Sequence, residues 1–195
     1  GETAEMPGVV PEGVVELSGF CIGCVEKEEM IDPAAVSPGD VLVGYQSDGV
    51  HANGWSLIRR VLREHGAEFD REDVEALLPP TRLYYDVVTG LRESGVRPRA
   101  LAHITGGGLP ENLERILVGR GLGCALEVPD WDNEAVRKLL RHVDDESRWH
   151  TFNMGIGWVA VVEESQAEAA AAAGPGGVVL GVVDQTPGVR VGSKC

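Results

Sequence analysis

The chain has 195 residues, 43% of them hydrophobic and 25% charged, a balance typical of a globular protein with one or two domains. Thirty-one acidic residues against 17 basic ones give a formal net charge of -14, which on average repels nucleic acid and anionic membrane surfaces. The sequence shows no apolar run near the about 18 residues of a membrane span and no signal-peptide pattern. We therefore expect a cytoplasmic protein that binds neither nucleic acid nor membrane.

Two strands are predicted in the first part of the chain. Residues 14–25 and 40–46 have strand-like patterns, and prolines and a glycine mark a turn-rich connection between them. This connection is the best internal boundary, so we expect one domain to end near Ile31 and a second to cover residues 32–195.

Two of the four cysteines, Cys21 and Cys24, form a C-x-x-C within the first predicted strand. Residues three apart on a strand point to opposite faces, so these thiols are poorly placed to share a metal or a disulfide. We predict that they are small buried residues of a reduced, cytoplasmic protein.

Five helices are predicted after residue 50, each from an apolar stripe with a start or stop signal. The first is capped by Asn53 and ended by Gly66. The second runs from Thr81 to Gly95, with Leu83 among its inward-facing residues. The starts of the other three are marked by Pro110 in a first turn, by Asp132 as a cap, and by Ser165 with Glu168 as a capping box.

Further strands are predicted at residues 99–105, 157–164, 176–184 and 189–191. The predicted strands outnumber those of a fold in which parallel strands and helices simply alternate. Several of them also follow one another with no helix between them. The predicted fold class is therefore α+β, with a mixed, mostly antiparallel sheet and helices packed on it.

Three consecutive glycines, Gly106, Gly107 and Gly108, separate a predicted strand ending at Thr105 from a predicted helix. Backbone N–H groups at a helix N-terminus form a site for an anion, most often a phosphate. The alternative is a tight turn with close backbone packing, which also requires glycine. His103 shares the strand face of Thr105 and is either a structural histidine or a functional one.

A second polar loop, QSDGVHANGWSL, has the same order of strand, glycine-bearing turn and helix. Ser47, Asp48, His51 and Asn53 are able to bond to a polar ligand there. The alternative is that Asp48-Gly49 is an ordinary turn and that Asn53 only caps a helix.

Two more segments offer polar groups. Asn153 lies just before Gly155 and Gly157, whose missing side chains leave room for another backbone or for a ligand. Near the N-terminus, Glu2 and Glu5 flank Thr3 and offer hard oxygen ligands of the kind that Mg²⁺ uses near a nucleotide. The alternative is that two carboxylates in a surface turn are simply solvated.

Six stretches together resemble the phosphoribosylformylglycinamidine cyclo-ligase family, also called aminoimidazole ribonucleotide synthetases. In chain order they are GETAEMPG, GFCIGCVEK, SDGVHANGWSLIRR, PPTRLYY, AHITGGGLPENL and TFNMGIGW. The resemblance spans essentially the whole chain, and the six stretches agree in order and approximate spacing. The family pattern has cysteine where Met154 stands, and since the reaction needs no thiol, we expect this position to pack.

The resemblance implies an enzyme of purine biosynthesis whose N-terminal domain pairs across a homodimer as a β-barrel, followed by a C-terminal α+β domain. Residues 1–31 would be a strand-rich tail of the N-terminal domain, which contributes to ATP binding and dimerisation. We expect the chain to be an incomplete C-terminal portion that is inactive on its own.

The family reaction, implied by the same resemblance, uses ATP to phosphorylate the amide oxygen of formylglycinamidine ribonucleotide. The neighbouring amidine nitrogen then attacks the carbon of the iminophosphate, which closes the ring of aminoimidazole ribonucleotide and releases ADP and phosphate. Such chemistry requires positioning and neutralisation of charge more than a side-chain nucleophile.

The resemblance also implies roles for single residues. His103 is the candidate for proton transfer or for stabilising the amide oxygen, and Glu2 is the candidate Mg²⁺ ligand. The candidate nucleotide- or substrate-binding residues are Thr3, Ser47, His51, Asn53, Thr105, Gly106, Gly107, Gly108 and Asn153. Which loop binds the ribose phosphate and which the ATP phosphates stays open.

Two alternatives remain at this point. One is another ATP-using member of the wider superfamily, similar to formylglycinamidine ribonucleotide synthetase or selenophosphate synthetase. The other is a non-catalytic module that binds a nucleotide phosphate.

Overall fold

The computed structural model describes residues 19–193, and the chain divides after Met30 into two units. In the described part of the first unit, residues 19–26 have no regular secondary structure and Lys27–Glu29 form a 3-10 turn. The predicted strand is therefore wrong over residues 19–25, and its residues 14–18 lie outside the described range. A strand needs a hydrogen-bonded neighbour and cover for its apolar side chains, and Phe20 and Ile22 are 83% and 87% exposed.

The C-x-x-C cysteines are not buried. Cys21 and Cys24 are both exposed and free, so the prediction that they are small core residues is wrong, because the strand that would bury them is not formed. Cys124 of the second unit is buried, and burial raises the pKa of its thiol to about 12.

The second unit is built on one six-stranded sheet, which confirms the predicted α+β class. Its strands are β1 (Val41–Gln46), β2 (Ala100–His103), β3 (Gly123–Val128), β4 (Ile156–Val162), β5 (Val178–Asp184) and β6 (Gly188–Ser193). Their spatial order is β2-β4-β1-β5-β3-β6, and every neighbouring pair is antiparallel except the parallel pair β3 and β6. The sequence pattern does not predict β3.

Seven α-helices lie within the described residues. They are α1 (Trp55–His65), α2 (Arg71–Leu77), α3 (Tyr85–Glu93), α4 (Gly108–Leu117), α5 (Glu134–Leu140), α6 (Asp145–Thr151) and α7 (Ala167–Ala172). The two that sequence reasoning misses, α2 and α6, have only seven residues each and start at Asp70 and Asp144, whose side chains accept from backbone N–H groups. Within 19–193, every helix is too short or too polar to cross a lipid bilayer.

Three predicted caps are wrong. Gly54, in the left-handed conformation, precedes α1 and frees Asn53 from capping. The cap of α5 is Asn133, whose Oδ1 accepts from the backbone N–H of Val136 at 3.1 Å, while Asp132 pairs with an arginine. A 3-10 turn over Glu164–Gln166 runs directly into α7, so no capping box forms there.

The start of α3 is also later than predicted. Residues 81–84 precede the helix because Arg82 and Tyr84 both donate to the carbonyl oxygen of Gln46, each at 3.3 Å. Leu83 is consequently 85% exposed, and its predicted inward position is wrong, whereas Val87 and Leu91 are buried as expected.

Helices cover both faces of the sheet because the apolar strand residues alternate. Leu42 of β1 belongs to the core under α4, and Val43 beside it belongs to the core under α3 and α7. A third apolar cluster joins α1, α2 and α5 around the buried ring of Phe152. The predicted apolar stripe of α4 contributes to the core that contains Leu42, and its Leu109, Leu113 and Leu117 are fully buried.

The core under α4 gives a direct test of this packing. Replacing Leu113 with Ala should lower the free energy of unfolding by about 2–5 kcal/mol, because it removes apolar contacts and leaves a cavity. The matched control Leu83→Ala, at an exposed site, should change it by less than about 0.5 kcal/mol. Urea unfolding of both variants measures the difference, and equal losses would contradict the burial assigned to each.

Candidate functional site

The glycine turn between β2 and α4 contains three glycines with different reasons for being glycine. Gly108 has φ +59, and a Cβ there would lie 1.9 Å from the backbone oxygen of Trp149. Gly107 has φ +92, and a Cβ there would lie 2.4 Å from Glu111 Oε2. The tight-turn alternative thus accounts for these two residues. Gly106 is exposed and has room, since the nearest atom to its Cβ position is Asn53 Oδ1 at 3.9 Å.

The hydrogen bonds of the glycine turn leave backbone donors free. The buried amide of Asn112 donates to the carbonyl of Gly108 at 2.7 Å, and Gly108 N–H donates to the carbonyl of Thr105 at 3.1 Å. The N–H groups of Gly106 and Gly107 have no partner among the described residues. They lie at the positive end of the ten-residue helix α4, an arrangement that favours an anion.

A buried amide joins the other two predicted loops. Asn153 Oδ1 accepts from Ser47 Oγ at 3.0 Å and from Gly155 N–H at 2.9 Å, and its Nδ2 donates to the carbonyl of Gly49 at 2.9 Å. Ser47 and Asn153 are each 3% exposed, so in this structure they bond to the protein. Their contact with a ligand stays a prediction. The neighbouring Met154 packs against two of the apolar clusters, as expected for a packing position.

His51, from the loop after β1, and His103, the last residue of β2, lie side by side. The ring centroids of His51 and His103 are 6.3 Å apart, and Tyr84 and Trp158 contact them from the side. His51 is 2% exposed with φ +60, and neither of its ring nitrogens has a hydrogen-bond partner within 19–193. Trp158 Nε1 is also buried without a partner there. Buried polar atoms without partners cost about 1–3 kcal/mol each and call for a ligand, a water or a functional reason.

Burial keeps both imidazoles uncharged near neutral pH. It lowers the pKa of His51 below its ordinary value, and the nearby His103 lowers it further, while Asp48 acts in the opposite sense. Burial also lowers the pKa of His103. Since His103 is the more exposed ring, it is the one of the pair that a ligand in solution can reach.

An arginine and a tyrosine that sequence reasoning leaves without a role border the same site. Arg82 forms an ion pair with Asp48 at 3.2 Å, and burial raises the pKa of Tyr84. Both residues lie in the PPTRLYY stretch, and Trp158 lies in TFNMGIGW, so the motifs contained these residues but their spacing did not show their contacts. Asn112 carried no sequence signal beyond its place in the first turns of a helix.

The structure thus brings together most of the predicted site residues of the second unit. Asn53 approaches Gly106, His51 approaches His103, and the loop of Ser47 is bonded to Asn153. Glu2 and Thr3 lie outside the described residues, so their predicted roles stay predictions. Within residues 19–193, the one group of three potential metal ligands is His65, Glu68 and His142, and it contains none of the predicted site residues.

Residues 37–194 match the family described as AIR synthase related protein, C-terminal domain, and the chain belongs to this family. It is 45% identical over 174 residues to a phosphoribosylformylglycinamidine cyclo-ligase of Synechococcus sp. strain CC9311, covering 84% of this chain and 50% of that protein. The chain spans about half the length of the curated relatives that it matches.

Solved structures show the same fold at low sequence identity. The E. coli hydrogenase maturation protein HypE is similar with a TM-score of 0.59 and 20% identity, over 83% of this chain and 49% of that one. T. maritima PurL, solved in complex with ATP, is similar with a TM-score of 0.52 and 16% identity, over 87% of this chain and 26% of that one. These likenesses establish the fold of the domain.

The different surroundings of the glycines predict different tolerance to substitution. Gly108→Ala should lower the free energy of unfolding by about 3 kcal/mol or more, because the new Cβ meets a backbone oxygen and the left-handed conformation is strained. The control Gly106→Ala should change it by less than about 0.5 kcal/mol. Chemical denaturation of the two variants distinguishes them, and a tolerated Gly108→Ala would contradict the close approach to Trp149.

The buried histidine predicts a loss of stability in acid. Because the pKa of folded His51 is below the unfolded value of about 6.5, the unfolded chain binds more protons, and stability falls as pH drops through about 6.5 towards the folded pKa. Proton NMR of the His51 ring should give a midpoint below about 6.5. His51→Asn, which tolerates positive φ, should reduce the stability difference between about pH 7.5 and about pH 5.5. A ring that titrates above the ordinary value would contradict this expectation.

Proposed function

We propose that this domain binds the ribonucleotide substrate and a phosphate in an ATP-dependent phosphoribosylformylglycinamidine cyclo-ligase. The carrying observation is the pair of free N–H groups at Gly106 and Gly107, beside the exposed imidazole of His103. The 45% identity to a protein of that name supports the reaction class. The proposed reaction is the cyclisation of formylglycinamidine ribonucleotide to aminoimidazole ribonucleotide through an iminophosphate, in purine biosynthesis.

The glycine turn is proposed to hold a phosphate. Its two free donors sit at the N-terminus of α4, and Asn112 turns the neighbouring carbonyl groups away by bonding to them. A phosphate can therefore bind through fixed backbone dipoles despite the net charge of -14. Asn53, freed from capping, offers its amide next to Gly106 and is proposed to contact the same ligand.

His103 is proposed to act on the reacting amide. Its lowered pKa leaves a neutral ring at pH 7, which is able to accept a proton at one nitrogen or donate one at the other. His51 behind it is proposed to act as a positioning residue, since a charge on either ring disfavours a charge on the other. Both rings are therefore neutral near pH 7, with one N–H proton on each.

Several further features belong to the same proposal. ATP is proposed to supply the phosphoryl group, Glu2 to bind Mg²⁺ and Thr3 to bind the nucleotide or substrate. Ser47 and Asn153 are proposed to keep the adjoining loops in place for the nucleotide. The working enzyme is proposed to be a cytoplasmic homodimer. The phosphate at the glycine turn is either the ribose phosphate or the one in transfer.

Gly106→Val tests the phosphate role without disturbing the fold. The added Cβ has room in the protein, and the exposed side chain blocks the approach of a ligand to the free N–H groups. Affinity should therefore fall by about tenfold or more, which is about 1.4 kcal/mol. Calorimetric titration with formylglycinamidine ribonucleotide, and separately with a non-hydrolysable ATP analogue, measures the loss and shows which phosphate is involved. Gly107 is less suitable, because its substitution strains the backbone.

Gly119→Val is the matched control. Gly119 is exposed, has ordinary φ and has no heavy atom near its Cβ position, so this variant should bind as the parent does. Unchanged affinity of Gly106→Val for both ligands would reject the phosphate role, and equal weakening in Gly119→Val would show that the effect is not local.

A further inference from the structure

Tyr84 is a buried ring that lies beside both histidines of the candidate site. Its ring centroid is 6.1 Å from that of His51 and 5.8 Å from that of His103. The indole of Trp158 stacks on it, with centroids 5.4 Å apart and an interplanar angle of 23°. Tyr84 precedes α3 and is only 6% exposed. The proposed reaction gives this tyrosine no role, although it contacts the rings around the site.

A missing side chain makes room for the tip of this tyrosine. A Cβ at Gly157 would lie 1.9 Å from Tyr84 Oη and 2.6 Å from His51 Cε1. The backbone of Gly157 has an ordinary φ, so the need for glycine here is space and not conformation. The space beside Gly157 is thus filled by a tyrosine and a histidine of the candidate site.

The hydroxyl group ties the ring to the start of the loop that carries His51. Tyr84 Oη donates to the carbonyl oxygen of Gln46, the last residue of β1, at 3.3 Å. Burial raises the pKa of this phenol, so it stays protonated and remains a donor. Arg82 donates to the same carbonyl and pairs with Asp48 in the loop. The segment before α3 is therefore fastened to the loop at several points.

The orientation of His103 depends on its neighbouring rings. His103 pairs with Trp158 in the sheet, which fixes its backbone. Within residues 19–193, its exposed ring is held by contacts with three rings, those of His51, Tyr84 and Trp158, and by no hydrogen bond. A group that transfers a proton must lie within about 2.6–3.2 Å of its target, so its orientation needs such support.

We propose that Tyr84 is a positioning residue for His103, and that its ring, seated over Gly157, fixes how the imidazole meets the reacting amide. This role rests on the function proposed above, in which His103 acts on that amide. The simpler alternative is that Tyr84 only fills space in the apolar cluster to which it belongs. The two differ in whether loss of the ring changes ligand binding and the His103 ring in a protein that is still folded.

The test compares Tyr84→Leu with Tyr85→Leu in the full chain. Tyr85 is the matched control, because it is the next residue and is 76% exposed. Calorimetric titration with formylglycinamidine ribonucleotide should show affinity about tenfold or more lower in Tyr84→Leu and unchanged in Tyr85→Leu. Affinity for inorganic phosphate, which probes the glycine turn alone, should be the same in both variants and the parent. Circular dichroism and urea unfolding show that each variant is folded.

The conservative variant Tyr84→Phe keeps the ring and should retain most of the affinity. Proton NMR of the His103 ring gives a second measure. Burial lowers the pKa of His103, so its titration midpoint should rise towards about 6.5 in Tyr84→Leu, where the smaller side chain lets water approach. In Tyr84→Phe and Tyr85→Leu the midpoint should stay at the parent value. Asp48 and Arg82, the charged groups that act on the adjoining His51, are the same in all variants.

Gly157→Ala tests the same contact from the other side. The new Cβ crowds the hydroxyl of Tyr84, so this variant should also weaken binding of the ribonucleotide. Its effect should be smaller in combination with Tyr84→Phe, because the closest atom is then absent, and this non-additivity identifies the contact.

Selective loss of ribonucleotide binding in Tyr84→Leu, with recovery in Tyr84→Phe, supports the proposal. It is overturned if Tyr84→Leu binds the ribonucleotide as the parent does, a result that leaves the proposed function intact. Equal loss for ribonucleotide and inorganic phosphate also overturns it, since the effect would then be a general loosening. A parent that does not bind the ribonucleotide rejects the proposed function, and the role of Tyr84 is rejected with it.

Discussion

One buried side-chain amide sets the geometry on which the candidate site depends. Asn153 bonds to Ser47, Gly49 and Gly155, so it fixes the loop after β1 against the turn before β4. Because β1 and β4 are antiparallel neighbours, the end of β1 and the start of β4 lie at the same end of the sheet. Asn153 therefore joins the two chain segments that meet there. His51 lies in the loop after β1 and has a left-handed backbone conformation, which is strained for a residue other than glycine. The hydrogen bonds of Asn153 to this loop help to maintain that conformation.

A second constraint acts from the other side of the site. Gly108 lets α4 approach the backbone of α6 at Trp149, and Asn112 fastens the carbonyl groups of the glycine turn. Among residues 19–193, the N–H groups of Gly106 and Gly107 have no protein partner. In this acidic protein, the phosphate site proposed at the glycine turn would rest on backbone geometry and not on a cluster of basic side chains.

Periodicity predicted the long and regular elements well. The stripe of α4 and the apolar runs of β1, β4 and β5 are read directly from the order of residues, because burial on a helix or a strand repeats at a fixed interval. The seven-residue α2 and α6 bury one residue and none, so they lack the apolar stripe that marks the equally short α5. β3 alternates in burial, with Cys124, Leu126 and Val128 inside, but the glycine and the alanine among these residues weaken the period-2 pattern in its sequence.

The sequence by itself determined the fold class, the order of most elements, the family resemblance and which loops carry polar groups, since these follow from local pattern and from matching motifs. Only the tertiary structure decided that Gly107 and Gly108 serve the turn while Gly106 is left open, that Ser47 and Asn153 face each other, and that the C-x-x-C is exposed. The physical reason is the same in each case. A glycine, an amide or a thiol takes its role from the atoms that approach it, and those atoms come from segments distant in the chain.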